Sequence, residues 1–274
     1  MATEILRILA FGAHPDDCDI KLGGMAIKYA QLGHKVRFVS VTNGDTGHHE
    51  IGGGPLAKRR RAEAQKAAEV AGIEYDVLDI HNGQLVPSLE NRWTLVRIIR
   101  EYQPHLVITH RPNDYHPDHR YTSQLVQDAA YTVTVPNVAA LTPHLLDSPV
   151  IAYVSDSFRR PYPFTPDVAV GIDDVIEQKM DMLNCHESQF YEWLPYNRGI
   201  LDQVPEGLHE RRQWLFTARA PHFAEVADRC RDLLVRLYGP ERGRAIRYAE
   251  AFEVCEYGAP LKVESIPTLF PFFG

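Results

Sequence analysis

Two short segments of the chain concentrate the side chains that bind metals and move protons. The first is Ala13-His14-Pro15-Asp16-Asp17; the second is His110-Arg111-Pro112-Asn113-Asp114-Tyr115-His116-Pro117-Asp118-His119. Taken singly, a loop histidine is usually a polar surface residue, and an aspartate such as Asp118 usually caps a helix. The combination departs from that. Thirteen histidines in 274 residues average fewer than one in any ten, yet residues 110–119 hold three, with two aspartates among them. Imidazole and carboxylate ligands without a thiolate suit a catalytic zinc, which takes three protein ligands and keeps a position open. Such an ion brings the pKa of a water near neutrality and polarises a carbonyl. Neighbours in an extended loop point different ways, so one of Asp16 and Asp17 can ligate while the other serves as general base; spacing does not say which. His116 and His119 lie three apart across a helix start and can face one pocket. His119 can then ligate while His116 donates to a developing oxyanion, with Asp118 fixing its tautomer. Pro15 and Pro117 stiffen the two turns.

These segments need a scaffold that brings them together, and the pattern around them supplies one. Strand-like runs at Ile8–Phe11, Val36–Thr42, Tyr75–Ile80 and Leu106–Thr109 alternate with helical patterns at Gly23–Leu32, about Leu56–Ala71, Arg92–Tyr102 and about His119–Val133. Nearly all-apolar strands alternating with helices predict a parallel sheet covered on both faces, a Rossmann-like three-layer α/β/α fold. Both segments directly follow a strand, which puts them at the carboxyl edge of the sheet, where open α/β sheets bind ligands. From about residue 134 the pattern loosens, with strands at Val150–Val154 and Val168–Ile172, a helix from Asp173-Asp174 to about Cys185 and a late helix over Phe223–Tyr238. No flexible linker intervenes, so we expect one domain over residues 1–274. It comprises a core at 1–135 and a C-terminal elaboration at 136–274 that contributes to the substrate pocket.

Composition narrows the partners. With 29 basic and 36 acidic residues the formal charge is −7, which argues against nucleic acid, and no apolar stretch is long enough to span a bilayer. Cys18, Cys185, Cys230 and Cys255 are scattered without a C-x-x-C pair and suit a reducing compartment; with an N-terminus that lacks the sections of a secretory signal, the expected location is cytoplasmic.

The two segments, with Thr42-Asn43-Gly44-Asp45 and Arg60-x-x-Glu63, resemble the LmbE-like (PIG-L) N-deacetylase family over roughly residues 7 to 190. The resemblance implies His14, Asp17 and His119 as metal ligands, Asp16 as base, His116 as oxyanion stabiliser and acid, and Asp118 as the partner of His116. It also implies that Arg60 and Glu63 face the pocket and bind substrate, where their spacing alone suggests an intrahelical ion pair. The implied cofactor is one Zn2+ per chain, with another divalent ion such as Fe2+ as the alternative, and relatives assemble as trimers or hexamers. The implied reaction removes an N-acyl group, foremost N-acetyl, from an amino sugar or related conjugate, by attack of a water that the metal acidifies and Asp16 deprotonates. The alternatives are an amidase acting on a thiol conjugate or other N-acyl compound, and a non-catalytic binding protein of the same fold. A nucleotide-dependent dehydrogenase is disfavoured because the first turn reads G-A-H-P-D-D, without G-x-G-x-x-G.

Other features carry less. The glycine-rich stretch Gly44–Gly54, with His48 and His49, reads as a mobile substrate loop. Asp114 reads as a brace of the second segment, and His110 as either a second layer behind the ligands or a satisfied buried histidine. Cys185-His186-Glu187-Ser188-Gln189 reads as helix packing rather than a second metal site. Phe190, Tyr191, Trp193 and Tyr196 suit sugar stacking, the core or an oligomer contact, and Tyr248–Phe252 has no assigned role in the reaction.

Overall fold

The structure, a computed structural model, describes residues 4–273. Strand β1 (Arg7–Gly12) leads through helix α1 (Asp17–Gln31) to β2 (Lys35–Ser40), and α2 (Gly54–Ala71) leads to β3 (Glu74–Val77). Helix α3 (Leu89–Tyr102), β4 (Leu106–Thr109), α4 (Pro117–Thr132) and β5 (Val150–Val154) follow. The sheet order is β3-β2-β1-β4-β5-β7-β6, completed by β6 (Val168–Gly171) and β7 (Ala249–Val254). Strands β1 to β5 are mutually parallel, and β7 runs antiparallel between β5 and β6. The sheet is thus mostly parallel, as expected, and it draws three strands from beyond residue 135.

Alternation along the strands sorts the core into layers. Ile8 and Ala10 of β1 and Leu106 and Ile108 of β4 join the apolar faces of α1, α2 and α5 (Ile176–Asn184). Leu9, Phe11 and Val107 point to the opposite face, beneath Leu95, Val96 and Ile99 of α3 and Leu125, Val126 and Ala129 of α4. All these strand residues are buried. Covering both faces is what lets the strands be apolar throughout.

Two expectations need correction. The late helix over Phe223–Tyr238 is two helices, α7 (Leu208–Arg229) and α8 (Arg231–Tyr238), because Cys230 leaves helical geometry at φ −102°. Arg231 then donates to the carbonyl oxygens of Gly243 at 2.9 Å and Ile246 at 2.7 Å, which ties down the start of α8. The first helix starts at Asp17 rather than Gly23, but it breaks at Leu22, φ −144°. The Glu250 carboxylate of β7 closes that break by accepting from the N–H groups of Gly24 at 2.8 Å and Met25 at 2.7 Å. A Cβ on Gly24 would lie 2.8 Å from Ile172 and 3.1 Å from Glu250, so only glycine admits this approach. Lys179 of α5 pairs with the same carboxylate, and both side chains are buried.

Candidate metal centre and active site

Strand β1 has β2 on one side and β4 on the other, so the chain order reverses between β1 and β4. That switch point is where an open sheet leaves a crevice. The loop after β1 and the loop after β4 flank it, and they are stitched together. The Ala13 N–H donates to His110 Nε2 at 3.0 Å, and Thr42 Oγ1 donates to the Ala13 carbonyl at 2.7 Å. Proline at the first position of α4 and the His116 side chain accepting from the Asp118 N–H at 3.1 Å start the helix that presents His119.

Three donor atoms converge here: His14 Nδ1, Asp17 Oδ2 and His119 Nε2. They are separated by 3.3 Å (His14 to Asp17), 3.5 Å (His119 to Asp17) and 3.2 Å (His119 to His14). Zinc–nitrogen and zinc–oxygen bonds of about 2.0–2.1 Å at tetrahedral angles would place donors about 3.3 Å apart. The triangle therefore fits a zinc-sized ion, and His14, Asp17, His110, His116 and His119 all fall in groups with metal-binding geometry. Each imidazole of the triangle is backed by a carboxylate: His14 Nε2 lies 3.3 Å from Asp118 Oδ2, and His119 Nδ1 lies 3.1 Å from Asp114 Oδ2. Carboxylate–histidine pairs of this kind orient the ring and raise its basicity.

The charges suit a cation. Burial alone would raise the Asp17 pKa, but His119, His14 and His110 hold it well below the usual carboxylate range. Burial alone would lower that of His14, but Asp17 and Asp118 raise it to about 9. His110 goes the other way: burial and then the like charge of His119 bring it down to about 4, so this ring is neutral and stacks on His119 at 4.1 Å. Burial also lowers His116, with His14 and His119 adding to the effect.

The remaining residues singled out by sequence take distinct places. Asp16 is buried and receives Arg60 Nη2 at 2.9 Å, so Arg60 meets Asp16 rather than Glu63. A Cβ on Gly44, φ +71°, would lie 2.5 Å from Arg60 Nη1, which explains glycine there. Glu63 is also buried and accepts from Ser188 through the backbone at 3.0 Å and the hydroxyl at 2.6 Å, with Arg59 Nε 3.1 Å away. Asp118 differs from expectation: its carboxylate serves His14 and the Gly83 N–H (2.6 Å), and only its backbone N–H reaches His116. Because His116 Nδ1 accepts that bond, the neutral ring carries its proton on Nε2. Asp114 does brace the loop, accepting from the His116 N–H at 2.9 Å.

The segment at 185–189 packs helices, as expected, and also knits the site. Ser188 holds Glu63, Gln189 Nε2 donates to the Gly47 carbonyl at 3.0 Å, and the fully buried His186 lies 3.4 Å from Asp19. His48 bonds Glu192 at 2.7 Å, and His49 stacks on Tyr196 at 4.0 Å. Glu250 and Gly83 were not found by sequence reasoning. Glu250 leaves a signal, a carboxylate inside the otherwise apolar Ala249–Phe252, whereas a backbone N–H such as that of Gly83 leaves none.

Fold and site together define a Rossmann-like α/β protein with a cluster of three donor atoms, in a geometry that could hold a metal ion, at the switch point of its sheet. The chain belongs to the PIG-L family: the sequence profile described as GlcNAc-PI de-N-acetylase matches residues 9–130. Diacetylchitobiose deacetylase of Thermococcus kodakarensis is 32% identical over 214 residues, covering 72% of this chain and 77% of the relative. The solved N,N'-diacetylchitobiose deacetylase of Pyrococcus horikoshii superposes with a TM-score of 0.68 at 25% identity, covering 92% of this chain and 84% of that one. A 4-oxalmesaconate hydratase of Pseudomonas putida is 24% identical over 233 residues, 82% of this chain and 89% of the relative. Among the described residues no helix is long and apolar enough to cross a membrane.

Proposed function

We propose that this chain is a zinc-dependent N-deacetylase acting on an N-acetylated amino sugar or related conjugate, with a single catalytic domain spanning the chain. The observation that carries the reading is the donor triangle of His14, Asp17 and His119, with the buried carboxylate of Asp16 adjacent in sequence and held by Arg60. His14, Asp17 and His119 would hold the ion, which when bound supplies Lewis acidity toward the amide carbonyl and makes a water easier to deprotonate. Asp16 takes the proton from the attacking water and returns it to the leaving nitrogen. His116, its Nδ1 occupied by the Asp118 N–H, offers its Nε2 proton to the oxyanion that develops on the carbonyl. Arg60 aims the Asp16 carboxylate through a charge-assisted hydrogen bond at 2.9 Å. Glu63 orders the wall of the site through Ser188.

The similarity to a hydratase supports a second reading, addition of water to an unsaturated acid at the same centre. Both reactions need an activated water, and they differ in what is released. Purified protein loaded with zinc should free acetate and a primary amine from N,N'-diacetylchitobiose or N-acetylglucosamine, with loss of activity on chelation. Asp16→Asn should lower kcat by about 10²–10⁴-fold, the range for a positioned acid–base group, while still holding one zinc by elemental analysis. Absence of acetate with every N-acetyl substrate tried, alongside hydration of an unsaturated dicarboxylate, would move the assignment to the second reading.

A further inference from the structure

The Thr42-Asn43-Gly44-Asp45 segment beyond β2 is buried, and its polar groups are spent on neighbouring loops rather than on solvent. Thr42 holds the Ala13 carbonyl, the Asn43 N–H donates to the Ile80 carbonyl at 2.8 Å, and Asn43 Nδ2 donates to Asp79 Oδ1 at 3.0 Å. Asp45 reaches furthest. Its Oδ1 accepts from the Asn82 N–H at 3.0 Å, and its Oδ2 meets His81 Nδ1 at 2.5 Å. One buried carboxylate thus clamps the first two residues of the turn after β3, which the Gln84 N–H closes on the His81 carbonyl at 3.1 Å. The Asp45 backbone is fixed as well: its N–H donates to Asn43 Oδ1 at 3.2 Å, and its carbonyl accepts from the Gly53 N–H at 2.8 Å.

The next residue of the turn joins this clamp to the donor triangle. The Gly83 N–H donates to Asp118 Oδ2 at 2.6 Å, and the same oxygen lies 3.3 Å from His14 Nε2. Asp118 Oδ1 is buried and has no hydrogen-bond partner among the described residues, so the carboxylate is held by the Gly83 N–H and the His14 ring. Where that N–H sits decides where Oδ2 sits, and Oδ2 orients the ring that brings His14 Nδ1 to the triangle. Gly83 is exposed and has no side chain with which to anchor itself. It takes its position from Asn82, whose N–H is held by Asp45 and whose carbonyl accepts a longer bond from Thr46 Oγ1 at 3.4 Å.

Resting on the reading of His14 as a metal ligand, we propose that Asp45 is a positioning residue for the metal centre. It contacts none of the three donor atoms and acts through the Asn82-Gly83 turn and then through Asp118. Asp45→Ala leaves the Asn82 N–H without its acceptor, so the turn no longer presents the Gly83 N–H at a fixed point and Asp118 loses its aim. Zinc affinity should fall about three- to tenfold, less than the 10–100-fold cost of removing a carboxylate that touches the ligand itself. Asp45→Asn keeps an amide oxygen for the Asn82 N–H and should stay within about twofold of wild type.

A double-mutant cycle read by zinc competition with a chromophoric chelator tests the route. Wild type, Asp45→Ala, Asp118→Ala and the double variant are compared; if Asp45 works through Asp118, the double variant loses no more affinity than Asp118→Ala alone. Two losses that add in full would overturn the proposal, and so would Asp45→Ala protein that binds zinc within about twofold of wild type. A second readout needs no variant. Coupling between sites is reciprocal, so zinc should slow amide exchange at Asn82 and Gly83 of the wild-type protein by about threefold or more, and leave the Gly33 N–H at the opposite edge of the sheet unchanged. Exchange at Asn82 and Gly83 that ignores zinc would overturn the proposal even if Asp45→Ala failed to fold. Wild type that binds zinc in this way but releases no acetate would keep Asp45 in its role and remove the deacetylase reading alone. Wild type that binds no zinc would remove the centre, and this role of Asp45 with it.

Discussion

Asp118 shows how the same side chain supports different chemistry depending on which atom makes the contact. Its sequence position beside His116 suggests a carboxylate that fixes that ring, but the carboxylate instead meets His14 Nε2 and the Gly83 N–H, and a backbone N–H contacts His116. The two arrangements predict different defects. With the carboxylate on His14, Asp118→Asn weakens the orientation of a proposed metal ligand, and the expected result is a 10–100-fold loss of zinc affinity, the usual cost of removing such a partner. Competition with a chromophoric chelator measures it. Normal zinc affinity with a depressed kcat would instead return the carboxylate to His116. At this scale residue types and their spacing were readable, and direction was not. The donor atoms of His14, Asp17 and His119 lie within 3.5 Å of one another, and Asp16 and Asp17 point to different partners as adjacent loop residues do, though spacing did not tell which of the two would face the histidines. The contact between Arg60 and Asp16 spans 44 residues, and that between Asp118 and His14 spans 104. Nothing local in the sequence encodes either, and Glu63 is taken up by a serine from another helix.

Helix α1 carries Asp17 on its first turn, so its placement sets the angle of the metal loop against the sheet. It is held at its break by Glu250, which caps Gly24 and Met25 and is itself neutralised by Lys179. Truncating Glu250 to alanine leaves two N–H groups without an acceptor and strips a buried ammonium of its counter-charge, leaving it the Ile20 carbonyl at 2.8 Å and the Phe223 ring. Breaking a buried pair in this way costs about 3–5 kcal/mol, which for a chain of this size corresponds to a fall in Tm of roughly 6–20 °C. Differential scanning fluorimetry provides the measurement. The double replacement Glu250→Leu with Lys179→Met removes both charges and should lose less than Glu250→Ala alone; an equal or greater loss would show that packing at Gly24, not charge, secures the break. The same carboxylate explains why β7 was not recognised as a strand: Glu250 and Glu253 interrupt the apolar run that made β1, β4 and β5 legible. Periodicity likewise ran through Cys230 as one helix, because the turn between α7 and α8 is imposed by the long-range contacts of Arg231 with Gly243 and Ile246. Local pattern reports an element's apolar face; it does not report a break that a distant residue enforces.

At the scale of the molecule, the centre is built on a finished scaffold. The proposed ligands follow β1 (His14) or sit on the first turns of α1 (Asp17) and α4 (His119), elements whose apolar residues are already buried against both faces of the sheet, and the loops between them are joined by protein hydrogen bonds such as Ala13 N–H to His110. A small zinc module behaves differently, because there the ion replaces a core the chain lacks, and removal of metal unfolds it. Here the metal-free chain should keep a cooperative thermal transition and its helical circular dichroism. Zinc then binds the native state selectively and stabilises it by RT ln(1 + [L]/Kd), about 2.7 kcal/mol at a hundredfold excess over Kd. For a protein of this length that raises Tm by roughly 5–10 °C. The shift should grow with the logarithm of free zinc and disappear in His119→Ala, which removes one corner of the donor triangle without touching either apolar layer. Loss of the transition on chelation would mean that the ion holds the two loops and the sheet edge together as a single cooperative unit. A metal-free protein that melts cooperatively, and a variant at His119 that melts at the same temperature with and without zinc, place the stabilisation in the site alone.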